Sequence, residues 1–236
     1  MSQKASLYLF PVALGDTPLC NVLPAQNIAI IPTIKHFIVE NIRSARRFLK
    51  ACDRTIDIDQ LTFYTLNEHT NPAEIPSMLE PMTQGYSMGI ISEAGCPAIA
   101  DPGADVVAIA QQRGYNIVPL VGPSSILLSL MASGFNGQSF AFNGYLPIDQ
   151  SARNAKLKEM ERRIRKERQT QIFIETPYRN NKLIEELSRS LPGDMLLCVA
   201  SNITCENQSI ITRKLSQWSK QQYDYNKIPT IFLLFS

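Results

Sequence analysis

The sequence predicts an α/β fold, and three observations carry that reading. Short apolar runs alternate with amphipathic or charged stretches from residue 5 to about residue 147, the order of a parallel or mixed sheet covered by helices. The alternation resumes with different spacing after residue 150. Glycines and prolines punctuate the runs rather than interrupt them. The 236 residues, 44% hydrophobic and 19% charged, suffice for one large domain or two small ones. A boundary near Val121-Gly122-Pro123 divides the chain into an N-terminal α/β domain, 1–121, and a C-terminal α/β domain, 122–236.

In chain order, "ASLYLF" (5–10) reads as a strand stopped by Pro11, with "VALGD" a loop behind it. "NIAIIP" (27–32) is a second short apolar run closed by proline. "FIVENIRSARRFLKACD" (37–53) begins strand-like and becomes helical. Ile42, Ala45, Phe48 and Leu49 share one face there, with Arg43, Arg46, Arg47 and Lys50 around the others. A helix is expected near 72–84 and a strand at "YSMGIIS" (86–92). After a Gly- and Pro-rich loop, "ADVVAIAQQRGYNIVPLVGP" reads as helix, Gly114 stop, strand and Gly-Pro turn. "SSILLSLMASG" (124–134) is another helix and "SFAFNGYLP" (139–147) a strand. The second half offers helices at 151–168 and 178–191, with strands at "TQIFIET", "DMLLCVAS", "NQSIIT" and "PTIFLLF".

Composition excludes several classes of function. The net charge of +2 sets up no global field for nucleic acid, so any such contact must come from a local patch. Five cysteines without a C-x-x-C pair, and only two histidines, His36 and His69, suit neither a structural zinc site nor a disulfide framework. No apolar run reaches 18 residues. The opening "MSQKASLYLFPVALGD" turns to proline too soon for a secretory signal. A cytoplasmic protein with no membrane partner is expected.

The stretch "IISEAGCPAIADPG" (90–103) has the strand-loop-helix form where α/β sheets bind ligands, outside the carboxyl ends of strands. Gly95 and Gly103 let backbone approach a ligand, while Pro97 and Pro102 restrict φ. Glu93 and Asp101 are available for hydroxyls or a cation. A purely structural turn explains the same residues. There is no G-x-G-x-x-G after a strand, no phosphate loop, no H-E-x-x-H and no G-x-S-x-G. Kinases, GTPases, ordinary dehydrogenases and the common hydrolases are therefore disfavoured.

Five segments in order, "LYLFPVALGD", "EAGCPAIADPG", "VPLVGPSS", "FAFNGYLP" and "FIETPYR", resemble those of the 16S ribosomal RNA (cytidine) 2′-O-methyltransferase family. That family lies within the tetrapyrrole methylase superfamily of S-adenosylmethionine-dependent methyltransferases. The resemblance runs from Leu7 to about Leu191. It implies two α/β domains of the tetrapyrrole methylase type, with S-adenosyl-L-methionine in the interdomain cleft, a homodimer, and ribosomal RNA or the small ribosomal subunit as partner. It places the cofactor against Pro11 and Leu14, then Cys96, Ile99 and Ala100, then Ser124 and Ser125. From the second half it adds Ile174, Thr176, Ala200 and Pro229.

The chain departs from the family at charged positions. Glu40-Asn41-Ile42-Arg43 stands where the family has E-D-T-R, and Tyr178 replaces a histidine. Ser201, Asn202 and Cys205 of "SNITCENQ" fall where an arginine, a glutamate and a lysine are usual. The terminal K-G-E becomes Lys227-Ile228-Pro229.

Methyl transfer to a ribose hydroxyl needs the hydroxyl's proton removed, and no metal. Glu40 is the first candidate base and Glu175 the second. Arg43, one turn from Glu40, pairs with it or meets substrate; Arg179 stands in the same relation to Glu175. The run of Arg162, Arg163, Arg165, Lys166 and Arg168 has acids interleaved and reads as a solvated helix face. Three functions stay open: an RNA ribose methyltransferase, a methylase of a small or tetrapyrrole-like substrate, and a catalytically silent cofactor-binding protein.

Overall fold

The computed structural model describes residues 5–236; the first four residues of the opening stretch weighed as a secretory signal lie outside them. The chain forms two compact units, Met1–Ser124 and Ser125–Ser236.

In the first unit, β1 (Ser6–Phe10) leads through α1 (Ala25–Ile30) to β2 (His36–Val39), α2 (Ile42–Cys52) and β3 (Thr62–Thr65). Then follow α3 (Ile75–Met78), α4 (Glu80–Thr83), β4 (Met88–Ile91), α5 (Gly103–Gln112) and β5 (Asn116–Pro119). The five strands form one sheet in the order β3-β2-β4-β1-β5, with every pairing parallel. Parallel strands need both faces covered, which is why β4 is buried at all four positions. Two apolar clusters supply the cover, one around Leu7, Ile38, Leu79 and Val106, the other around Phe10, Phe37, Phe48 and Leu49.

The structure adds to or changes the sequence reading at three places. The apolar run "NIAIIP" is helical: residues 25–30 form a helix behind Pro24, and Pro32 sits in a 3₁₀ turn, Ile31–Thr33. A short apolar run has no period of its own, and Asn27 decides the matter by donating from Nδ2 to the Val121 carbonyl at 2.8 Å. The helix expected near 72–84 is broken into a 3₁₀ turn and two single turns, because Pro72, Pro76 and Pro81 each begin a new one. Strand β3, "TFYT", is an edge strand that no sequence run announced.

The second unit runs α6 (Ser125–Ser133), β6 (Phe140–Tyr145), α7 (Gln150–Glu167), β7 (Thr170–Ile174) and α8 (Asn180–Ser190). It continues through β8 (Leu196–Ser201), β9 (Ser209–Lys214), α9 (Leu215–Trp218) and β10 (Thr230–Phe235). Its sheet is mixed, in the order β6-β7-β10-β8-β9, parallel only between β6 and β7. The core gathers Phe173, Phe232, Leu187, Met160 and Trp218. Trp218 is fully enclosed and donates its indole N–H to the Leu197 carbonyl at 2.9 Å. Among the described residues no helix is long and apolar enough to cross a membrane.

Candidate functional site

All five strands of the first unit run the same way, so the loops after them emerge along one sheet edge. The loop after β1 and the loop after β4 are tied together there. Val12 N–H donates to the Gly95 carbonyl at 2.9 Å and Gly95 N–H to the Val12 carbonyl at 3.0 Å. Cys96 Sγ reaches the Pro123 carbonyl at 3.5 Å, bringing in the Gly-Pro turn after β5. A Cβ on Gly122 would fall 2.2 Å from Pro11 Cβ, so only glycine lets these two loops approach this closely. Gly95 has φ +73°, and a Cβ there would press on Leu14 Cδ2 at 3.2 Å. Pro11, Leu14 and Cys96 are thereby assembled into one backbone-lined corner.

The outer half of the 90–103 loop is strained in a specific way. Ala98 and Ala100 both hold left-handed φ, 65° and 60°, a conformation costing about 1–2 kcal/mol for a residue with a Cβ. Asp101 braces it: Oδ1 accepts from Ala98 N–H at 2.9 Å and from Gly103 N–H at 2.7 Å. Its Oδ2 is buried and has no hydrogen-bond partner among the described residues. Burial pushes the Asp101 carboxyl above its ordinary value, against the lowering effect of those two N–H donors. Ile99 and Ala100 project from this loop and are exposed.

Glu40 stands in the turn between β2 and α2, half-buried at the same sheet edge. Burial raises its carboxyl first, and the charges of Asp101 and Glu93 raise it further. Three carboxylates thus share one edge, yet no group of three or more His, Cys, Asp or Glu among the described residues is placed to hold a metal ion. Arg43 makes no ion pair with Glu40. The helix begins only at Ile42, where Asn41 caps it by accepting from Arg43 and Ser44 N–H, so Glu40 lies outside the helical spacing. Ser44 Oγ donates instead to Glu93 Oε1 at 2.5 Å. Ser124 closes the first unit and Ser125 opens α6 in the second.

In the second unit, Ile174 and Ala200 lie in one row, each paired with Ile231 of the antiparallel strand between them. Pro229 adjoins that row, its carbonyl accepting from Asn202 N–H at 3.0 Å. Glu175 is only 8% exposed, and its carboxylate is fully engaged. Oε1 accepts from Thr176 N–H at 2.8 Å, while Oε2 meets Arg153 at 3.5 Å and Arg179 at 3.6 Å. Arg153 also holds Glu186 at 2.8 Å and donates from Nε to the Pro147 carbonyl at 2.7 Å. This carboxylate is a structural anchor for the Thr176 backbone.

Arg153 and Asn180 escaped the sequence reading, although a signal for both was present. Arg153 occupies the apolar stripe of α7 with Leu157, Met160 and Ile164; Asn180 occupies that of α8 with Leu183, Ile184 and Leu187. A polar residue on a buried stripe must find partners. Asn180 Nδ2 donates to the Tyr225 and Ile228 carbonyls at 2.9 and 2.8 Å, fixing the approach to Pro229. On the outer face of α7 the basic run is largely neutralised, with Arg162 on Glu167, Arg163 on Glu159, and Arg165 on Glu161 and Asp194.

No protein-family model matches the chain. It is 29% identical over 84% of its length to the ribosomal RNA small subunit methyltransferase I of Vibrio cholerae, covering 65% of that protein. To the protein of the same name from Pasteurella multocida it is 30% identical over 66% of its length, covering 55%. The Bacillus subtilis protein of that name is 28% identical over 92% of the chain and is covered to 70%. The chain thus spans less than two thirds of the first two of these relatives. Among solved structures, diphthine synthase superposes over 98% of the chain and 90% of its own, with a TM-score of 0.68 at 13% identity. The methyltransferase CobJ does so over 98% and 93%, with a TM-score of 0.64 at 15% identity. The Thermus thermophilus uroporphyrin III C-methyl transferase gives a TM-score of 0.60 at 13% identity, over 98% of both chains. The chain is thus similar in sequence to the ribosomal RNA small subunit methyltransferase I proteins, and it shares the fold of CobJ, diphthine synthase and the uroporphyrin III C-methyl transferase.

Proposed function

We propose that this protein is an S-adenosylmethionine-dependent methyltransferase acting on a ribose 2′-hydroxyl of small-subunit ribosomal RNA in the cytoplasm. The observation that carries the reading is the corner built from Pro11, Leu14, Gly95, Cys96 and Pro123, with Glu40, Glu93 and Asp101 along its edge. Its donors and acceptors are mainly backbone, its side chains are small, and its charge is negative. That fits a ligand carrying a sulfonium and an ammonium, and it disfavours a nucleotide triphosphate. Bound there, the cofactor supplies an electrophilic methyl group. The expected contacts of the second unit, Ile174, Thr176, Ala200 and Pro229, are part of the proposal, as is a homodimer.

Within this chain, Glu40 is the group best suited to take the hydroxyl proton. Its raised carboxyl is closer in basicity to what proton transfer at neutral pH requires, and no arginine holds it. Glu175, locked between Arg153 and Arg179, serves by fixing Thr176. Methyl transfer from labelled S-adenosylmethionine to small ribosomal subunits from cells lacking the gene tests the assignment. Label on a ribose supports it, and no transfer with cofactor binding intact overturns it.

A methylase of a small or tetrapyrrole-like substrate is the second reading. The tight turn after β8, residues 202–208, favours it by carrying no lysine or arginine.

A further inference from the structure

We propose that the exposed face of α2 is a phosphate-binding stripe that docks the backbone of a single-stranded RNA segment beside the acidic corner of the first unit. The inference rests on the ribosomal RNA reading and says where that substrate is held. Helix α2 contains Arg43, Arg46, Arg47 and Lys50, all exposed, and no acidic residue at all. None of the four forms an ion pair among the described residues, in contrast to the arginines of α7.

The stripe runs against local electrostatics. Arg43 lies in the first turn, where the helix dipole favours a carboxylate. Arg43 with Arg47, and Arg46 with Lys50, are like charges four residues apart, about 6 Å along the axis, and repel one another. Lys50 is eased by its place in the last turn and by the Asp53 charge, whereas Arg43, Arg46 and Arg47 have no ion pair among the described residues to offset the repulsion. Arg46 is held over the Phe63 ring at 5.6 Å, which orients its guanidinium without neutralising it. A polyanion supplies the missing counter-charge. Ile42 is the one large apolar side chain exposed on this helix, too little for insertion into a lipid surface.

Position argues the same way. The first turn of α2 is tied to the 90–103 loop through Ser44 and Glu93, and Glu40 directly precedes the helix. Negative charge therefore lines the corner proposed for a cationic methyl donor, and positive charge begins immediately beside it. An acceptor ribose carries phosphates on both sides, so a stripe at this place holds the strand while its hydroxyl reaches Glu40.

The test is fluorescence anisotropy of a labelled single-stranded RNA, about 20 nucleotides long, over a salt series. Combined replacement Arg46→Ala, Arg47→Ala and Lys50→Ala should weaken binding at least about tenfold at roughly 50 mM salt. It should also lower the salt slope by about 0.7 for each phosphate no longer neutralised. Arg162→Ala with Arg163→Ala on α7 should leave the slope unchanged. The stripe variant should bind S-adenosylmethionine with the parent's affinity by calorimetry. If it fails to fold, Arg47→Glu alone repeats the test, at an exposed position with no hydrogen-bond or ion-pair partner among the described residues. Unchanged affinity and slope, or a parent with no salt-dependent RNA binding, overturns the stripe. If the parent methylates small subunits and the variant's KM for them is unaltered, the stripe falls and the proposed function stands. A parent that binds RNA through α2 yet transfers no methyl group keeps the stripe and removes the ribose chemistry.

Discussion

Glu40 and Arg153 show how burial sorts charged residues into different roles. Glu40 has its carboxyl raised by burial and by two like charges, so its protonated form is favoured in the folded state. Stability from this group is fully present below the ordinary glutamate value of about 4.5 and is lost as pH rises through the elevated one. Glu40→Gln should therefore melt above the parent at pH 7 and alongside it at pH 4, by calorimetric scanning. The same variant should lose methyl transfer by about 100-fold or more, the usual worth of a positioned base. Arg153 is the opposite case, a buried cation facing two carboxylates. Arg153→Met leaves Glu175 and Glu186 without their shared partner and should cost about 3–5 kcal/mol in urea unfolding.

At the scale of elements, the close approaches between loops matter more than the loops' composition. The turn after β5 reaches the loop after β1 because Gly122 has no Cβ to meet Pro11. Gly122→Ala must push the two apart, with an overpacking cost of about 1–3 kcal/mol, and should abolish S-adenosylmethionine binding measured by calorimetry. Undiminished affinity would remove the Pro11 corner from the donor site. Helix α2 depends on its cap: Asn41 accepts from two N–H groups of the first turn. Asn41→Ala should destabilise the protein by about 1 kcal/mol and loosen the Ser44–Glu93 tie beside the corner.

For the whole molecule, the remaining apolar surface bears on assembly. Met131 of α6 is 79% exposed and Leu127 of the same helix 52%, in a helix with no charged residue. This face is where the proposed homodimer is expected to form. With the proposed homodimer, light scattering should give twice the 26.4 kDa chain mass at micromolar concentration, and Met131→Glu should give the single mass. A single mass for the parent would count against the dimer.

The sequence by itself determined the α/β class, most strands and helices, the strand-end loops and the likeness to ribosomal RNA methyltransferases, because these depend on local periodicity, on Gly and Pro, and on motif order along the chain. It also determined that the basic run of α7 is a solvated face, since its acids recur at helical spacing. Only the tertiary structure decided the rest. Residues 25–30 are helical and not extended because a long-range bond from Asn27 holds them. Thr62–Thr65 is a strand because β2 offers it an edge. Glu40 faces acids rather than Arg43, and Glu175 meets Arg153 as well as the Arg179 one turn on, because Asp101 and Glu93 on one side and Arg153 on the other arrive from distant segments. The charge a side chain meets is set by neighbours remote in the chain, and spacing along the sequence carries no record of them.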